Sequence, residues 1–250
     1  MRFLALTRRE VSRFVKIKGQ TIGAPLLETF LYISVFGAAL GTRVGDLDGI
    51  DYVVYVIPGL ILMAWAINAF TNNSSSILQQ KFQRSIDDQL SSPASPVQLL
   101  MAFTLGGFLR GMTITVITFV VASLLVDLPV DHPLVLVVSL LLVGFFFSQI
   151  GVLVGIRAEQ FDDVSFAQTF ILQPLIFLGG IFYSASLLPE PYQTLTHFNP
   201  VYYMISVVRY GFLGIADVNI ALSLLILAVV TAFLTLFNYR LFARGYRLRA

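Results

Sequence analysis

Cysteine is absent from this 250-residue chain, so it can build neither a disulfide nor a thiolate metal site, although that absence says nothing of compartment. Lysine is nearly absent: Lys16, Lys18 and Lys81 are the only three, and none follows a glycine. A Walker A loop needs a Gly-Lys pair ahead of Ser or Thr, so this chain cannot contain one. Histidine is limited to His132 and His197, with no HExxH pair and no second metal ligand near either. No GxSxG elbow occurs, and Gly45-Asp46 lies between apolar runs rather than inside one, which leaves intramembrane proteolysis unsupported. These gaps point away from an enzyme: no catalytic residue and no metal site is expected. Charge is scarce too, at 12% of residues against roughly a quarter in soluble domains, while 57% are hydrophobic. With a mean hydropathy of +0.83, the chain belongs in lipid, as one integral membrane domain over 1–250.

What is present is a series of long apolar runs. Crossing the hydrocarbon takes about 20 residues as a helix. Runs of that length fall near 22–42, 53–74, 97–126, 133–155, 164–184 and 220–241. The expected fold is therefore all-α, with six transmembrane helices and no convincing internal repeat. Pro25, Pro58 and Pro174 lie inside runs, where neighbouring helices can satisfy the freed carbonyls. Ahead of the first run, residues 1–20 predict an interfacial helix. Arg2, Arg8, Arg9, Arg13, Lys16 and Lys18 oppose a single Glu10, and Phe3, Leu4, Leu6, Val11, Phe14, Val15 and Ile17 share the other side. That pattern suits an anionic membrane surface. A cleaved signal peptide is the rival, opposed by the length of the following run and the lack of a small-x-small site.

Basic residues set the orientation. Six spans with an inside amino terminus place the amino-terminal cluster, Lys81, Arg84, Arg157, Arg240, Arg244, Arg247 and Arg249 in the cytoplasm. Arg43 and Arg209 then fall outside, together with Asp46, Asp48, Asp51, Asp127, Asp131, Glu190 and Asp217. Both termini are expected to be cytoplasmic. Residues 200–213, PVYYMISVVRYGFL, are too few for a span of their own. The stretch 187–214 is accordingly read as a re-entrant or interfacial helical hairpin on the outer side, broken at Pro189, Pro191 and Pro200. Its tyrosines suit the headgroup layer.

Polar residues interrupt this pattern at a few places. From Gln79 to Pro96 the chain is polar, and Leu78, Phe82, Ile86 and Leu90 recur every fourth residue. This predicts a short amphipathic helix over 77–92 with those four along one side. Such a helix could receive a push from a soluble partner, or form a solvated loop in which Arg84 pairs with Asp87 and Asp88. The loop Arg157–Asp163 is a second cytoplasmic feature, read as a solvated turn. Glu28 and Arg110 are the ionisable residues within apolar runs; their positions allow an ion pair between them, and a structural ion pair or snorkelling is favoured over a substrate contact. Gly37/Gly41, Gly107/Gly111 and Gly151/Gly155 let helices approach closely, which predicts packing within one subunit.

Five segments follow one another in order: PGLILMAWAINAF in the second run, KFQRSIDDQLSSPASP after it, FDD before the fifth, LGGIFYSASLLP after that, and NPVYYMISVVRYGFLGI before the sixth. The series resembles the permease subunit of type-2 ABC exporters of bacterial inner membranes, over nearly the whole chain. The resemblance implies six spans per subunit, a coupling helix after the second and an outer re-entrant hairpin before the sixth. It also implies a dimer of permeases, here expected to be a homodimer, and two cytosolic ATPase subunits. ATP and magnesium would be bound there and no cofactor by this chain. Carried over by motif, the coupling residues are Lys81, Phe82, Gln83, Arg84, Ile86, Asp87, Asp88 and Leu90, and the hairpin residues are Pro200, Tyr202, Tyr203, Arg209 and Tyr210. Membrane lipids are expected neighbours, and nucleic acid is not. An amphipathic or lipid-like cargo passing between subunits, along the first, second and fifth spans, suits the apolar aromatic walls. A secondary transporter or a non-transporting scaffold would also span the membrane. The first would usually show midplane carboxylates and repeat symmetry, and the second leaves the coupling-like helix without purpose.

Overall fold

One long helix organises the molecule. In the computed structural model, which describes residues 2–16, 19, 23–36, 45–47 and 49–248, this is the third of the helices. In chain order they are α1 (Arg2–Lys16), α2 (Ala24–Phe36), α3 (Tyr52–Phe82), α4 (Ser85–Ser91), α5 (Pro96–Leu125) and α6 (Pro133–Arg157). Then come α7 (Phe161–Phe166), a π-helical turn (Ala167–Leu172), α8 (Gln173–Phe177), α9 (Glu190–Phe198), α10 (Pro200–Leu213) and α11 (Ile220–Arg244). A two-residue ladder, Asp46–Leu47 against Ile50–Asp51, precedes α3. Gly49 supplies the positive φ of 79° that its tight turn requires.

The 31 residues of α3 give about 46 Å of helix, well beyond the ~30 Å of a hydrocarbon core. Asp51 caps its start by accepting from the Val53 amide. Helices α5 and α6 close on it from two sides because their contact faces carry glycine. A Cβ at Gly107 or Gly111 would come within 3.0 Å of Asn73 or Trp65, and one at Gly144 or Gly151 would meet Trp65 or Phe70 as closely. Gly155 sits equally close over Ser74 and Ile77. The small-residue spacings thus serve packing within one subunit, while Gly37 and Gly41 lie outside the described residues.

Among the described residues, four helices are long and apolar enough to cross a membrane: α3, α5, α6 and α11. The first apolar run is described as α2 over 13 residues. The fifth run, expected as a continuous span over 164–184, is not one regular α-helix. Pro174 has no amide to donate, and the ladder widens to π spacing in the residues just before it. After α8 the chain turns at Gly180, with φ +86°.

Residues 187–214 fold as two helices, α9 and α10, meeting at Asn199. Asn199 Oδ1 caps α10 through the Val201 amide, and its Nδ2 donates to Leu175 O, tying the pair to α8. The amides of Asp131 and His132 donate to Phe212 O and Gly211 O, which fastens the α5–α6 loop to the same helix. The main core joins α3, α6 and α10 around Tyr55, Ile61, Phe70, Phe147, Ile205 and Val208. A smaller core at the Phe82 end of α3 gathers Ile77, Ile86, Leu99, Phe103, Ile156 and Phe242. Helix α11 shows an exposed apolar face through Leu225, Val229 and Phe233, as a lipid-facing helix does.

Candidate functional site

The expected amphipathic helix over 77–92 is two helices with a break between them. Helix α3 ends at Phe82, and Arg84 takes the left-handed conformation at φ +53° before α4 begins. That turn rotates α4 relative to α3, so the expected single stripe is split. Leu78 and Ile86 are buried and Leu90 is half-buried, but Phe82 is 58% exposed. Gln83, Arg84 and Asp88 are exposed and Asp87 is half-buried. Among the described residues Arg84 forms no ion pair with Asp87 or Asp88, because it stands before the helix rather than on its face.

Two contacts bind this end of α3 to the segment after α6. Lys81 Nζ donates to Ile156 O at 3.0 Å and Ala158 O at 2.6 Å, satisfying carbonyls left open at the end of α6. The Phe82 ring stacks on Phe161 at the start of α7, with centroids 5.5 Å apart and planes 13° from parallel. Phe161 is itself 50% exposed, so the pair forms an aromatic patch on the surface. Asp163 orders the intervening turn by accepting from the amides of Glu159 and Gln160 at 2.8 and 3.1 Å. Those two bonds hold its carboxyl below the usual carboxylate range.

Behind the patch lies a buried polar network that residue patterns alone did not reveal. Glu10 of α1, 1% exposed, accepts from Ser76 Oγ at 2.6 Å, Gln80 Nε2 at 3.0 Å and Arg9 Nη2 at 2.9 Å. Arg9 also donates to Gln80 Oε1 and to Gln89 Oε1, each at 3.0 Å, and Gln89 Nε2 donates to Gln80 Oε1. Three helices, α1, α3 and α4, therefore meet in one hydrogen-bonded cluster. One turn along, Arg13 Nη2 donates to Asn72 Oδ1 at 2.9 Å, and Asn73 Nδ2 donates to Ser148 O of α6. Burial lowers the pKa of Arg13, with Glu10 opposing that effect and Arg9 adding to it. The available signal was Ser76 and Gln80, polar residues four apart on α3 that must meet something when buried.

Further along α3 lies a cavity of about 230 Å³ between α2, α3, α5 and the π turn. Its polar lining is Glu28, Thr29, Asn68, Thr118, Gln168 and Gln173. Asn68 Nδ2 is held by Ala64 O, and Gln168 Oε1 accepts from Thr71 Oγ1. The Glu28–Arg110 ion pair that the sequence allows is not formed. Thr29, beside Glu28, meets Thr118 at 3.4 Å, eight residues along α5 from Arg110 and so about 12 Å away along the axis. Arg110 lies instead within electrostatic reach of Arg13, with Nε buried and unpartnered among the described residues. Gly106, one turn before Arg110, lies against Glu10, which places this stretch of α5 beside α1 rather than beside Glu28.

The hairpin residues form a clamp. Pro200 opens α10, and Arg209, 2% exposed, pairs with Asp217 at 3.2 Å, donates to Gly180 O at 2.7 Å and lies 3.9 Å over the Tyr55 ring. Tyr202 is buried and packs edge-on against His197 and Tyr203. Tyr203 donates to His197 O, and Tyr210 stacks on His132. Arg209, expected within the outer hairpin, is a buried structural group joining α3, α10 and the turn after α8.

Comparison with known proteins gives concordant matches. The model of the ABC-2 type transporter family matches residues 1–213. The inner membrane transport permease YadH of Escherichia coli (strain K12) is 38% identical over 242 residues, covering 97% of this chain and 94% of that protein. Nodulation protein J of Rhizobium leguminosarum bv. viciae is 25% identical over 240 residues, covering 94% and 92%. Its namesake in Sinorhizobium fredii is 25% identical over 237 residues, covering 93% and 90%.

Proposed function

The chain belongs to the ABC-2 type transporter family, and on that premise we propose that it is the membrane half of an ATP-driven exporter. Two copies form a homodimer with six spans each, both termini cytoplasmic, in a bacterial inner membrane. ATP and magnesium are bound and spent on two separate cytosolic ATPase subunits, which seat on the face around Phe82. The amphipathic or lipid-like cargo leaves the cytoplasm or the inner leaflet along a path between the copies.

The observation that carries this reading is the continuity of α3. The same unbroken helix ends in the exposed Phe82–Phe161 patch and lines the polar cavity with Asn68. Fourteen residues separate Phe82 from Asn68, about 21 Å of helix. A push on the patch is therefore delivered to the cavity by a rigid body, with Lys81 carrying α6 along and the Glu10 cluster carrying α1. Closure of the ATPases then biases the permease between inward- and outward-open states, an equilibrium shifted by the nucleotide cycle.

Phe82→Asp tests this role. The variant should insert normally and keep its fold, since Phe82 is exposed, yet lose ATP-dependent transport and co-purification with the ATPase. Normal transport by Phe82→Asp would remove the patch from the mechanism.

A further inference from the structure

Glu28 sits where two differently built spaces meet. One is the polar cavity, and the other is a groove of about 340 Å³ along α2, lined by Glu28, Leu31, Tyr32 and Val35. A polar chamber adjoining an apolar groove, with Glu28 and Tyr32 on the wall of each, fits a molecule with one head and one tail. Sizes of a few hundred cubic ångströms are those of small-molecule sites.

The lining narrows the chemistry of the head. None of the described residues around the cavity is basic, so a phosphate or sulfate would find no countercharge and would face a carboxylate. Glu28 forms no ion pair among the described residues, nor does it take part in a hydrogen bond there. An isolated carboxylate in an apolar span is expensive, and a cation arriving with the ligand relieves that cost more than any neutral group could. Around it, Asn68 Oδ1 remains open because only the amide nitrogen is engaged, and the Gln173 amide has no partner among the described residues. These oxygens are acceptors for N–H donors, and the Tyr32 ring adds a π face beside them.

We propose that Glu28 is the headgroup-recognising residue for an amphiphile bearing a protonated amine, its tail lying along Leu31 and Val35. This rests on the exporter reading and names its cargo class, yet the two stand or fall by different measurements.

The test is equilibrium binding of radiolabelled tetradecylamine, present as its ammonium form at neutral pH, to the full chain in lipid nanodiscs, with empty nanodiscs subtracted and no nucleotide or ATPase present. The ammonium probe should be displaced by unlabelled probe and not by tetradecyl glucoside or tetradecyl sulfate. Glu28→Gln should weaken binding about tenfold or more, the loss expected for a charge-assisted contact, while Glu28→Asp should retain most of it. Gln173→Lys, which adds a cation with Glu28 intact, should abolish it. Equal displacement by the glucoside would show hydroxyl recognition instead, and unchanged affinity in Glu28→Gln would remove the carboxylate from the site; either overturns the proposal. Such a failure leaves ATPase coupling through Phe82 untouched, whereas failed ATPase recruitment leaves this binding intact.

Discussion

The rings of Phe82 and Phe161 come from segments 79 residues apart and lie nearly parallel, 5.5 Å between centroids. Each stays at least half exposed on the subunit surface. A stacked pair of this kind contributes about 0.5–1.5 kcal/mol beyond area burial. If the ATPase seats on this patch, an exposed aromatic anchor is lost in Phe161→Ala, which should weaken ATPase binding about tenfold without unfolding the permease. Titration of the purified ATPase onto the permease in nanodiscs reads this directly, and Phe82→Ala should give a similar loss.

Glu10 should matter more to stability than any other residue of α1. Replacing it by Ala leaves Ser76, Gln80 and Arg9 each short of a partner in a buried cluster. Unsatisfied buried groups cost about 1–3 kcal/mol each. Glu10→Ala should lower the thermal unfolding midpoint in detergent by several degrees, whereas exposed Arg8→Ala should leave it nearly unchanged. Equal midpoints for the two variants would contradict the network.

Close approach to Trp65 sets a second stability test. A methyl group at Gly144 collides with the indole, while one at Gly23 meets nothing within 4 Å. Overpacking costs about 1–3 kcal/mol. Gly144→Ala should reduce thermal stability and Gly23→Ala should not, as judged by the fraction remaining monodisperse after heating.

The Asp163 turn should respond to pH. Its carboxyl titrates below the ordinary range because the Glu159 and Gln160 amides donate to the charged form. A depressed folded-state value means the turn is fully supported above the unfolded-state value and loses that support as pH falls through the lower folded one. Hydrogen-exchange protection of those two amides should fall on acidification in the native chain. In Asp163→Ala it should be low throughout and independent of pH.

Long apolar helices were legible from sequence because hydropathy is a sum over neighbours and needs no partner. The glycine spacings told of close approach but not of its object; that Gly111 and Gly144 both face Trp65 depends on three helices meeting. Arg84 carried no mark of its left-handed backbone, since nothing in Gln-Arg-Ser demands it, and the expected stripe through Phe82 failed there. The level of Arg110 was equally unreadable, because α5 meets α1 at Gly106 and α2 only at Thr118, two turns beyond Arg110. The fifth run kept its hydropathy while changing its hydrogen-bond ladder, a distinction to which composition is blind.

The left-handed residue between α3 and α4 folds the short helix back against the long one rather than cutting it loose, since Gln89 and Ile86 rejoin it to Gln80 and Ile77. On the exporter reading, a partner gripping α4 alone would therefore still move α3, so the bend offers two handles on a single lever.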